Sequence, residues 1–339
     1  MAGKGNAGPY VVAEAGVNHG GSVSQALGLV RAAKAAGADA VKFQMFAASE
    51  LASASTPLAD YQKITSSKSS QMEMLEDLEL SRDEFREISE FCQEIGISFL
   101  CTAFDEASLA YLVGLGMASI KIPSAEITNR ALLLAAASHN LPVVLSTGGS
   151  YLAEVKDAIG VLESGGSRMQ DLTVLQCTSA YPADEGDSNI RAMVTLRNEL
   201  GVSVGYSDHT IGSLSAVVAT AMGACLIEKH LTLDKSARGP DHAASADREE
   251  FADYVRDIRR VTLILGDGEK VPSRSEGNVI QVARRSLFLT RAIKSGHSFT
   301  EHDFTSKRPG GGVSPMALET IVGQKAARDY QEGEMYDGL

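Results

Sequence analysis

The chain has 339 residues, of which 44% are hydrophobic and 22% charged, proportions typical of a soluble globular protein. Acidic residues outnumber basic ones by 43 to 31, and the resulting net charge of −12 argues against a protein that binds duplex nucleic acid. The longest apolar run, 214–227, is shorter than the roughly 20 residues that cross a bilayer, so we expect no membrane segment.

The cysteines indicate a reducing compartment. Cys92, Cys101, Cys177 and Cys225 are scattered and form no C-x-x-C pair, which suggests neither a zinc knuckle nor a disulfide framework. The first ten residues lack the apolar core of a signal peptide. We therefore expect a cytoplasmic protein with reduced thiols.

Short apolar runs alternate with helical stretches along the first 266 residues, which indicates parallel strands buried on both faces. Eight such units in about 250 residues predict a closed (β/α)₈ TIM barrel. An open doubly wound sheet is the alternative, but no G-x-G-x-x-G follows the first strand. The predicted strands are 10–16, 40–46, 98–104, 119–125, 142–148, 172–179, 203–209 and 226–233.

Helix boundaries carry recognisable start and stop residues. The stretch 81–96 opens with Ser81 and Glu84 at capping-box spacing and closes at Gly96, a plausible C-terminal cap. Similar patterns predict helices over 22–37 and 248–266.

The stretch 47–80 is longer than an ordinary strand-to-helix loop. It follows the second strand at the end of the barrel where active sites form, so it is either a partial lid or a solvated insertion.

After residue 267 the alternation of strand and helix patterns ends. We predict a barrel domain over 1–267, a linker over 268–281 and a small β-rich domain over 282–339. A domain of this size buries only a small hydrophobic core on its own, so we expect it to pack against the barrel or against a second subunit.

Two histidines end the last two predicted strands. His209 and His230 would point at one spot if the barrel is closed, because neighbouring parallel strands bring their carboxyl ends together. Two imidazoles with open positions for water and substrate would suit a catalytic divalent metal. The alternative is a pair of hydrogen-bonded core histidines, and the spacing alone does not decide.

Two lysines lie inside predicted strands, where an unpaired charge is costly. Lys42 and Lys121 could form a pocket for a small phosphorylated carboxylate, together with strand-end hydroxyls. They could equally be paired with acidic residues for structure alone, or one could form a Schiff base. The hydroxyls are those of Thr102, Ser124, Ser146 and Ser207, and the possible acidic partners are Glu14, Glu126 and Glu228.

Eight motifs in order resemble those of the sialic acid (nonulosonate) synthases, and the similarity covers nearly the whole chain. The C-terminal part resembles the antifreeze-like SAF domain. The motifs are VVAEAGVNHGGS, AVKFQMF, KIPSAEITN, VVLSTGG, QCTSAYPA, GYSDHTIG, IEKHLTLDKSARGPDHAAS and KRPGGGVSP.

The resemblance implies a phosphoenolpyruvate-dependent condensation with an N-acylated hexosamine-type sugar, giving a nine-carbon 2-keto acid and phosphate. It implies a divalent metal, with Mn²⁺ the first choice and Mg²⁺, Co²⁺ or Zn²⁺ as alternatives. It also implies a homodimer in which each SAF domain caps the partner's barrel. The acceptor could be N-acetylmannosamine, its 6-phosphate or a 2,4-diacetamido-trideoxyhexose.

Matching motif by motif, the resemblance assigns a role to each site residue. His209 and His230 would bind the metal, and Glu126 would manage the attacking water or its proton. Arg308 would reach across the dimer to the sugar's N-acyl group. The residues for phosphoenolpyruvate would be Lys42, Thr102, Lys121, Ser124, Ser146 and Ser207, and those for the sugar Glu14, Gln44, Tyr181 and Asp241, with Glu126 beside them.

Two departures from the family pattern bear on the acceptor. The loop 183–189 differs from the usual sequence beside the sugar site, and the glycines at 310–312 are expected to loosen the loop that carries Arg308. Two other functions remain as alternatives: a Schiff-base aldolase using Lys121 or Lys229, and a non-catalytic carbohydrate-binding protein.

Overall fold

The structure is a computed structural model that describes residues 8–59, 62–63 and 68–339. It divides into two compact units, Met1–Asp267 and Gly268–Leu339.

The first unit is a closed barrel of eight parallel strands, with β1 paired to both β2 and β8. The predicted TIM barrel is therefore confirmed. The strands are β1 Tyr10–Gly16, β2 Ala40–Met45, β3 Ser98–Ala103, β4 Ile120–Ile122, β5 Val143–Ser146, β6 Leu172–Cys177, β7 Ser203–Asp208 and β8 Leu226–His230.

Helices follow the strands and cover the outside of the barrel. In α4, the Ser81 and Glu84 side chains form the predicted capping box, and Gly96 ends the helix at a φ of 71°, a left-handed conformation that suits glycine. The barrel unit's helices are α1 Val23–Ala35, α2 Ala48–Leu51, α3 Gln71–Glu76, α4 Arg82–Ile95, α5 Glu106–Gly114, α6 Arg130–Ser138, α7 Leu152–Ser164, α8 Ala192–Leu200, α9 Leu214–Ala221 and α10 Arg248–Leu265.

An apolar layer inside the barrel supports the site. Each of its six buried members lies two residues before a buried polar or thiol residue of the same strand, as with Val12 before Glu14 and Ala40 before Lys42. Side chains two apart share a strand face, so the polar residues form the next layer above it. The members are Val12, Ala40, Leu100, Val144, Leu175 and Leu226.

Strand β4 is shorter than predicted. It ends at Ile122, and Ser124–Glu126 form a 3₁₀ turn instead of continuing the strand. Pro123 explains the early end, because proline has no N–H to donate to a neighbouring strand.

The described residues of the 47–80 stretch fold back as the short helices α2 and α3. Leu58, Met74 and Leu78 pack with Val17 and Phe46 in a small apolar cluster. The stretch is thus attached to the loops after β1 and β2, which favours the lid interpretation over a solvated insertion.

The second unit contains an antiparallel pair, β9 Ser286–Leu289 and β10 Phe304–Lys307. Its core is aromatic, with Phe299 packed against Phe304, Tyr330 and Tyr336. Two short helices belong to it, α11 Gly277–Ala283 and α12 Leu318–Ile321. Helix α11 falls largely within the predicted linker, and none of its residues is buried.

Gly310 and Gly312 pack closely, contrary to the loosening expected there, whereas Gly311 has open space around it. The Gly310 N–H donates to the carbonyl oxygen of Gln281 at 2.7 Å, and the Gly312 N–H donates to Ser286 Oγ at 3.0 Å. A Cβ on Gly312 would approach Met335 to 2.7 Å. A side chain at 312 would have to displace Met335, and Gly311 has a φ of 101°, a conformation that favours glycine.

In the part of the chain that the structure describes, no helix combines the length and the apolar character needed to cross a membrane.

Candidate active site

A cavity of about 500 Å³ opens at the carboxyl ends of the barrel strands. Thirteen of the fourteen residues predicted for the site line it, all except Arg308. They are Glu14, Lys42, Gln44, Thr102, Lys121, Ser124, Glu126, Ser146, Tyr181, Ser207, His209, His230 and Asp241.

Lys42 and Lys121 converge on the carboxylate of Glu228. The Lys121 Nζ lies 3.4 Å from Glu228 Oε1, and the Lys42 Nζ lies 3.6 Å from Glu228 Oε2. Lys42 is also 2.8 Å from Glu14 Oε2. The two buried ammonium groups are therefore held at one place by carboxylates, as a buried charge requires.

Hydroxyl groups from neighbouring strands surround this pair. Lys42 donates to Thr102 Oγ1 at 3.2 Å, Lys121 donates to Ser146 Oγ at 2.7 Å, and Ser207 donates to Glu228 Oε1 at 3.1 Å. Ser124 Oγ accepts from the Gly148 N–H at 2.9 Å. The cluster combines cations with rotatable donors, which suits a small anion with several oxygens.

The protonation of this cluster is set by burial and by mutual attraction. Burial is the largest influence on Glu228 and opposes its charge, yet Lys121 and Lys42 outweigh it and lower its pKa to about 2. Burial lowers the pKa of Lys121, with Lys42 acting in the same direction. Burial also raises the pKa of Glu14. An anionic ligand would therefore favour the charged form of Lys121.

The His209 and His230 side chains lie together, with ring centroids 5.4 Å apart. Tyr181 packs on both, at 4.2 Å from the His209 ring and 5.5 Å from the His230 ring. His209 Nδ1 is 2.7 Å from the Thr178 carbonyl oxygen, so that nitrogen carries a proton, and in the neutral ring the lone pair is on Nε2. Burial opposes the charge of His209, but Cys177 and the Thr178 carbonyl outweigh it and raise its pKa, so a bound cation would compete with a proton at this ring.

His230 is the second imidazole of the pair that could bind a metal. Its Nδ1 is buried, has no hydrogen-bond partner among the described residues, and lies 3.6 Å from Asp241 Oδ2. Burial lowers the pKa of His230 well below its ordinary value, and the neighbouring His209 and Lys42 act in the same direction. The ring is thus neutral at physiological pH, the form that binds metals.

These observations fit a divalent cation bound by two imidazoles. No group of three or more His, Cys, Asp or Glu side chains poised to hold a metal occurs in the described ranges. The two imidazoles therefore suit a cation that takes its remaining ligands from water and substrate, as in a catalytic site.

Acidic and amide groups line the cavity next to the histidines. Gln44 Nε2 donates to Glu14 Oε1 at 2.8 Å. Burial raises the pKa of Asp241 to about 7, and the charge of Glu14 contributes to this rise. Such groups can exchange hydrogen bonds with sugar hydroxyls.

Glu126 also lines the cavity, half-buried, and accepts a hydrogen bond from Asn129 Nδ2 at 2.7 Å. Lys229, one of the two lysines considered for a Schiff base, lines a different cavity. Arg308 is exposed in the second unit.

Some lining residues were not predicted as site residues. Glu228 was considered only as a structural partner, although its position two residues before His230 already placed it on the same strand face. Apolar residues of the 47–80 stretch carried no comparable sign. They are Leu51, Met74, Leu75 and Leu78.

Comparison with known proteins gives matches over most of the chain. The profile of the NeuB family matches residues 29–270, and that of the SAF domain matches residues 284–335.

Individual relatives agree in length as well as in sequence. The chain is 45% identical to the N,N'-diacetyllegionaminic acid synthase of Legionella pneumophila, over 96% of this chain and 92% of that protein. It is 41% identical to the enzyme of the same name from Campylobacter jejuni, over 96% and 98%. The crystal structure of the N-acetylneuraminic acid synthetase of Leptospira borgpetersenii, in complex with citrate, superimposes with a TM-score of 0.71. It is 34% identical and covers 81% of this chain and 91% of that one.

Proposed function

The chain belongs to the NeuB family and carries a C-terminal SAF domain, and from this premise we propose that it condenses phosphoenolpyruvate with an N-acylated aminosugar. It is an enzyme of the sialic acid-type synthase class. The product is a nine-carbon 2-keto sugar acid, and phosphate is released by cleavage of the C–O bond of phosphoenolpyruvate.

One observation carries the proposal. Lys42 and Lys121 converge on Glu228 in the same cavity that holds the His209–His230 pair. A cluster suited to binding an anion thus lies beside two imidazoles suited to binding a metal. This arrangement suits a reaction between anionic phosphoenolpyruvate and the carbonyl group of a sugar.

The lysine cluster orients phosphoenolpyruvate. Lys42 and Lys121 neutralise its carboxylate and phosphate, while Thr102, Ser146 and Ser207 donate hydrogen bonds to their oxygens. Glu228 keeps both ammonium groups in place when the ligand is absent. Fixing the donor beside the acceptor supplies much of the acceleration.

The histidine side of the cavity binds the acceptor. A divalent cation held by His209 and His230, Mn²⁺ in the first instance, would act as a Lewis acid on the aldehyde oxygen of the open-chain sugar. Glu14, Gln44, Tyr181 and Asp241 line this side of the cavity and bind sugar hydroxyls.

The bonds change in one sequence. Carbon 3 of phosphoenolpyruvate bonds to the aldehyde carbon, the aldehyde oxygen takes up a proton to become a hydroxyl, positive charge develops at carbon 2, and water adds there. The C–O bond to phosphate then breaks, leaving the 2-keto acid. Ser124 helps to hold the anion, and Glu126, half-buried in the lining of the same cavity, accepts the proton of the attacking water.

The acceptor is of the 2,4-diacetamido-trideoxyhexose type. The names of the relatives at 45% and 41% identity specify a product with two acetyl groups. N-acetylmannosamine and its 6-phosphate are the competing acceptors.

A defined assay tests the proposal. Purified protein is incubated with phosphoenolpyruvate, Mn²⁺ and each of the three sugars, and phosphate release is compared with product mass. We expect turnover with the diacetamido sugar, and its loss on chelation and in the His209→Ala variant. Turnover that is insensitive to chelator, or covalent trapping of a keto acid on Lys121 by borohydride, would contradict it.

A further inference from the structure

A second buried polar cluster joins the two histidine-bearing strand ends on the side away from the active-site cavity. It consists of Asp208, Thr210, Lys229 and Tyr254, which are 0%, 1%, 3% and 1% exposed, and we call it the rear cluster. Three of its members line a separate cavity of about 270 Å³. None of the four lines the active-site cavity.

Every polar side-chain group of the rear cluster is bonded within it. Lys229 Nζ donates to the Thr210 carbonyl oxygen at 2.6 Å and lies 3.3 Å from Asp208 Oδ2. The Tyr254 hydroxyl of helix α10 donates to the same Oδ2 at 2.9 Å, and Lys229 Nζ lies 4.9 Å from the centre of the Tyr254 ring. Asp208 Oδ1 accepts from both the N–H and the hydroxyl of Thr210, at 2.9 and 2.7 Å.

The cluster lies next to the histidines in the chain. Asp208 and Thr210 flank His209, Lys229 precedes His230, and β7 and β8 pair Asp208 with Lys229. Side chains alternate along a strand, so Lys229 and Asp208 face helix α10 while their histidine neighbours face the cavity. The bonds of the cluster thus fix the backbone on both sides of His209 and tie it to the residue before His230.

Stability alone is a poor reason for such a cluster. The desolvation of a buried ion pair cancels much of its attraction, and apolar residues of similar size often serve equally well. Directional bonds between two strand ends provide something that apolar packing does not, which is a fixed relative position.

We propose that the rear cluster sets the separation and orientation of the His209 and His230 imidazoles, so that Asp208, Lys229 and Tyr254 are positioning residues for the cation. The inference rests on the proposed function, because it takes the two histidines as the cation's protein ligands. Groups that orient metal-binding histidines typically change metal affinity by 10–100-fold when they are altered.

The main test is the double variant Asp208→Asn/Lys229→Met, which removes both charges together and leaves no unpaired one. Mn²⁺ binding is measured from the electron paramagnetic resonance of free Mn²⁺, and phosphoenolpyruvate binding is measured separately on metal-free protein. We expect the dissociation constant for Mn²⁺ to rise about 10–100-fold. Phosphoenolpyruvate binding should stay within about threefold of wild type, since Lys42 and Lys121 lie outside the cluster.

Two further variants keep the test decisive. Tyr254→Phe removes one hydroxyl, is expected to fold, and should weaken Mn²⁺ binding severalfold. Arg259→Met is the matched control on the same helix, because Arg259 bonds to Asp39 at 2.6 Å and to the Pro9 carbonyl oxygen at 2.7 Å, away from the histidines. It should lower thermal stability and leave the Mn²⁺ affinity unchanged.

The outcomes separate this inference from the proposed function. Wild-type protein that binds no Mn²⁺, or binds it equally well as His209→Ala, would overturn both. The positioning role alone would be overturned if the wild type binds Mn²⁺ through its histidines and both the folded double variant and Tyr254→Phe bind it with the same affinity. An equal loss of Mn²⁺ affinity in Arg259→Met would also overturn it, because the effect would then be general destabilisation.

Discussion

At the level of single residues, the site depends on charges that stabilise one another. Glu228 is ionised although it is buried, because two ammonium groups face it. In the absence of substrate the carboxylates of Glu14 and Glu228 occupy the surroundings of the lysines. An incoming phosphate and carboxylate would take over those interactions.

Replacing Lys121 tests the anion site. Lys121→Met should lower kcat/KM for phosphoenolpyruvate by roughly 10²–10³-fold, because a buried cation that neutralises the carboxylate and the departing phosphate is lost. The KM for the sugar should change little. Steady-state kinetics with each substrate varied in turn measure both. Lys156→Met removes a half-exposed lysine that pairs with Glu199, and it should remain within about twofold of wild type.

Asp241 gives a prediction for pH. Its pKa of about 7 in the folded protein exceeds its ordinary value of 3.8, so the folded state keeps a proton that the unfolded chain has lost. The stability that this proton provides is therefore lost as pH rises toward about 7. Asp241→Asn should raise the melting temperature by several degrees at about pH 8 and by less at about pH 5.

The Asp241 measurement is made with chelator present, so that bound cations do not contribute. A stability difference that stays constant between these two pH values would contradict the expected protonation of Asp241.

Sequence reasoning at this scale succeeded where one strand, or two neighbouring strands, contained the information. The ends of neighbouring parallel strands predicted that His209 and His230 point at one spot, and the position of Lys42 inside a buried strand marked it as a candidate site residue. The sequence could not predict that Glu228 is a site residue. Its contact with Lys121 joins β8 to β4 across the barrel, and the two residues are 107 positions apart. Such a contact follows from the closed geometry and from the direction of two long side chains.

At the level of elements, the strands and the 47–80 stretch contribute differently to the site. The lysines and histidines stand on or directly after strands whose neighbours fix them through main-chain hydrogen bonds. The 47–80 stretch is attached by a small apolar cluster that includes Met74 and Leu78. It is therefore the weaker wall of the cavity.

Truncating Met74 should separate the two substrates. Met74→Ala removes a buried side chain from the small cluster and should raise the KM for the sugar severalfold, while the KM for phosphoenolpyruvate stays nearly constant. Met117→Ala is the matched control, since Met117 is equally buried but belongs to the main core. It should lower the melting temperature without a change in either KM. Equal effects of Met74→Ala on both substrates would contradict a lid role for the segment.

Local sequence patterns predicted the elements well and their ends less well. The capping box of α4 and its final glycine were visible in the sequence, because caps depend on neighbouring residues. Helix α11 was predicted as a linker, because it is only seven residues long and its apolar residues Val279 and Val282 do not extend into a longer helical repeat.

At the level of the whole molecule, the net charge of −12 and the anion site are compatible. The potential in a cleft depends on the groups that line it, and Lys42 and Lys121 lie together in this cavity, paired with Glu14 and Glu228. The bulk charge therefore argues only against nucleic-acid partners as a class, and the local pattern was needed for the ligand.

The proposed homodimer gives a prediction that involves both units. If Arg308 completes the partner's site, then mixing inactive Arg308→Ala and His209→Ala subunits should restore activity. A statistical mixture would recover up to about a quarter of wild-type activity, since half of the dimers would contain one intact site. Activity is measured after subunit exchange, against each variant alone. No recovery in mixtures shown to contain heterodimers would contradict the proposed cross-subunit role.

The sequence predicted the barrel because eight repeated units dictate one architecture. It predicted the family because ordered motifs match along nearly the whole chain. The acceptor sugar did not follow, because loop shape is set by contacts distant in sequence. The described residues of the loop 183–189, which the sequence placed beside the sugar site, do not contribute to the lining of the active-site cavity.

The central claim is that phosphoenolpyruvate reacts by cleavage of its C–O bond in the cavity formed by the lysine cluster and the histidine pair. Phosphoenolpyruvate labelled with ¹⁸O at the oxygen that bridges carbon 2 and phosphorus tests it most directly. We predict that the label appears in the released phosphate, only with the sugar present, and that Lys121→Met suppresses its release. Label retained in the keto acid product, or released at the wild-type rate by that variant, would contradict the account.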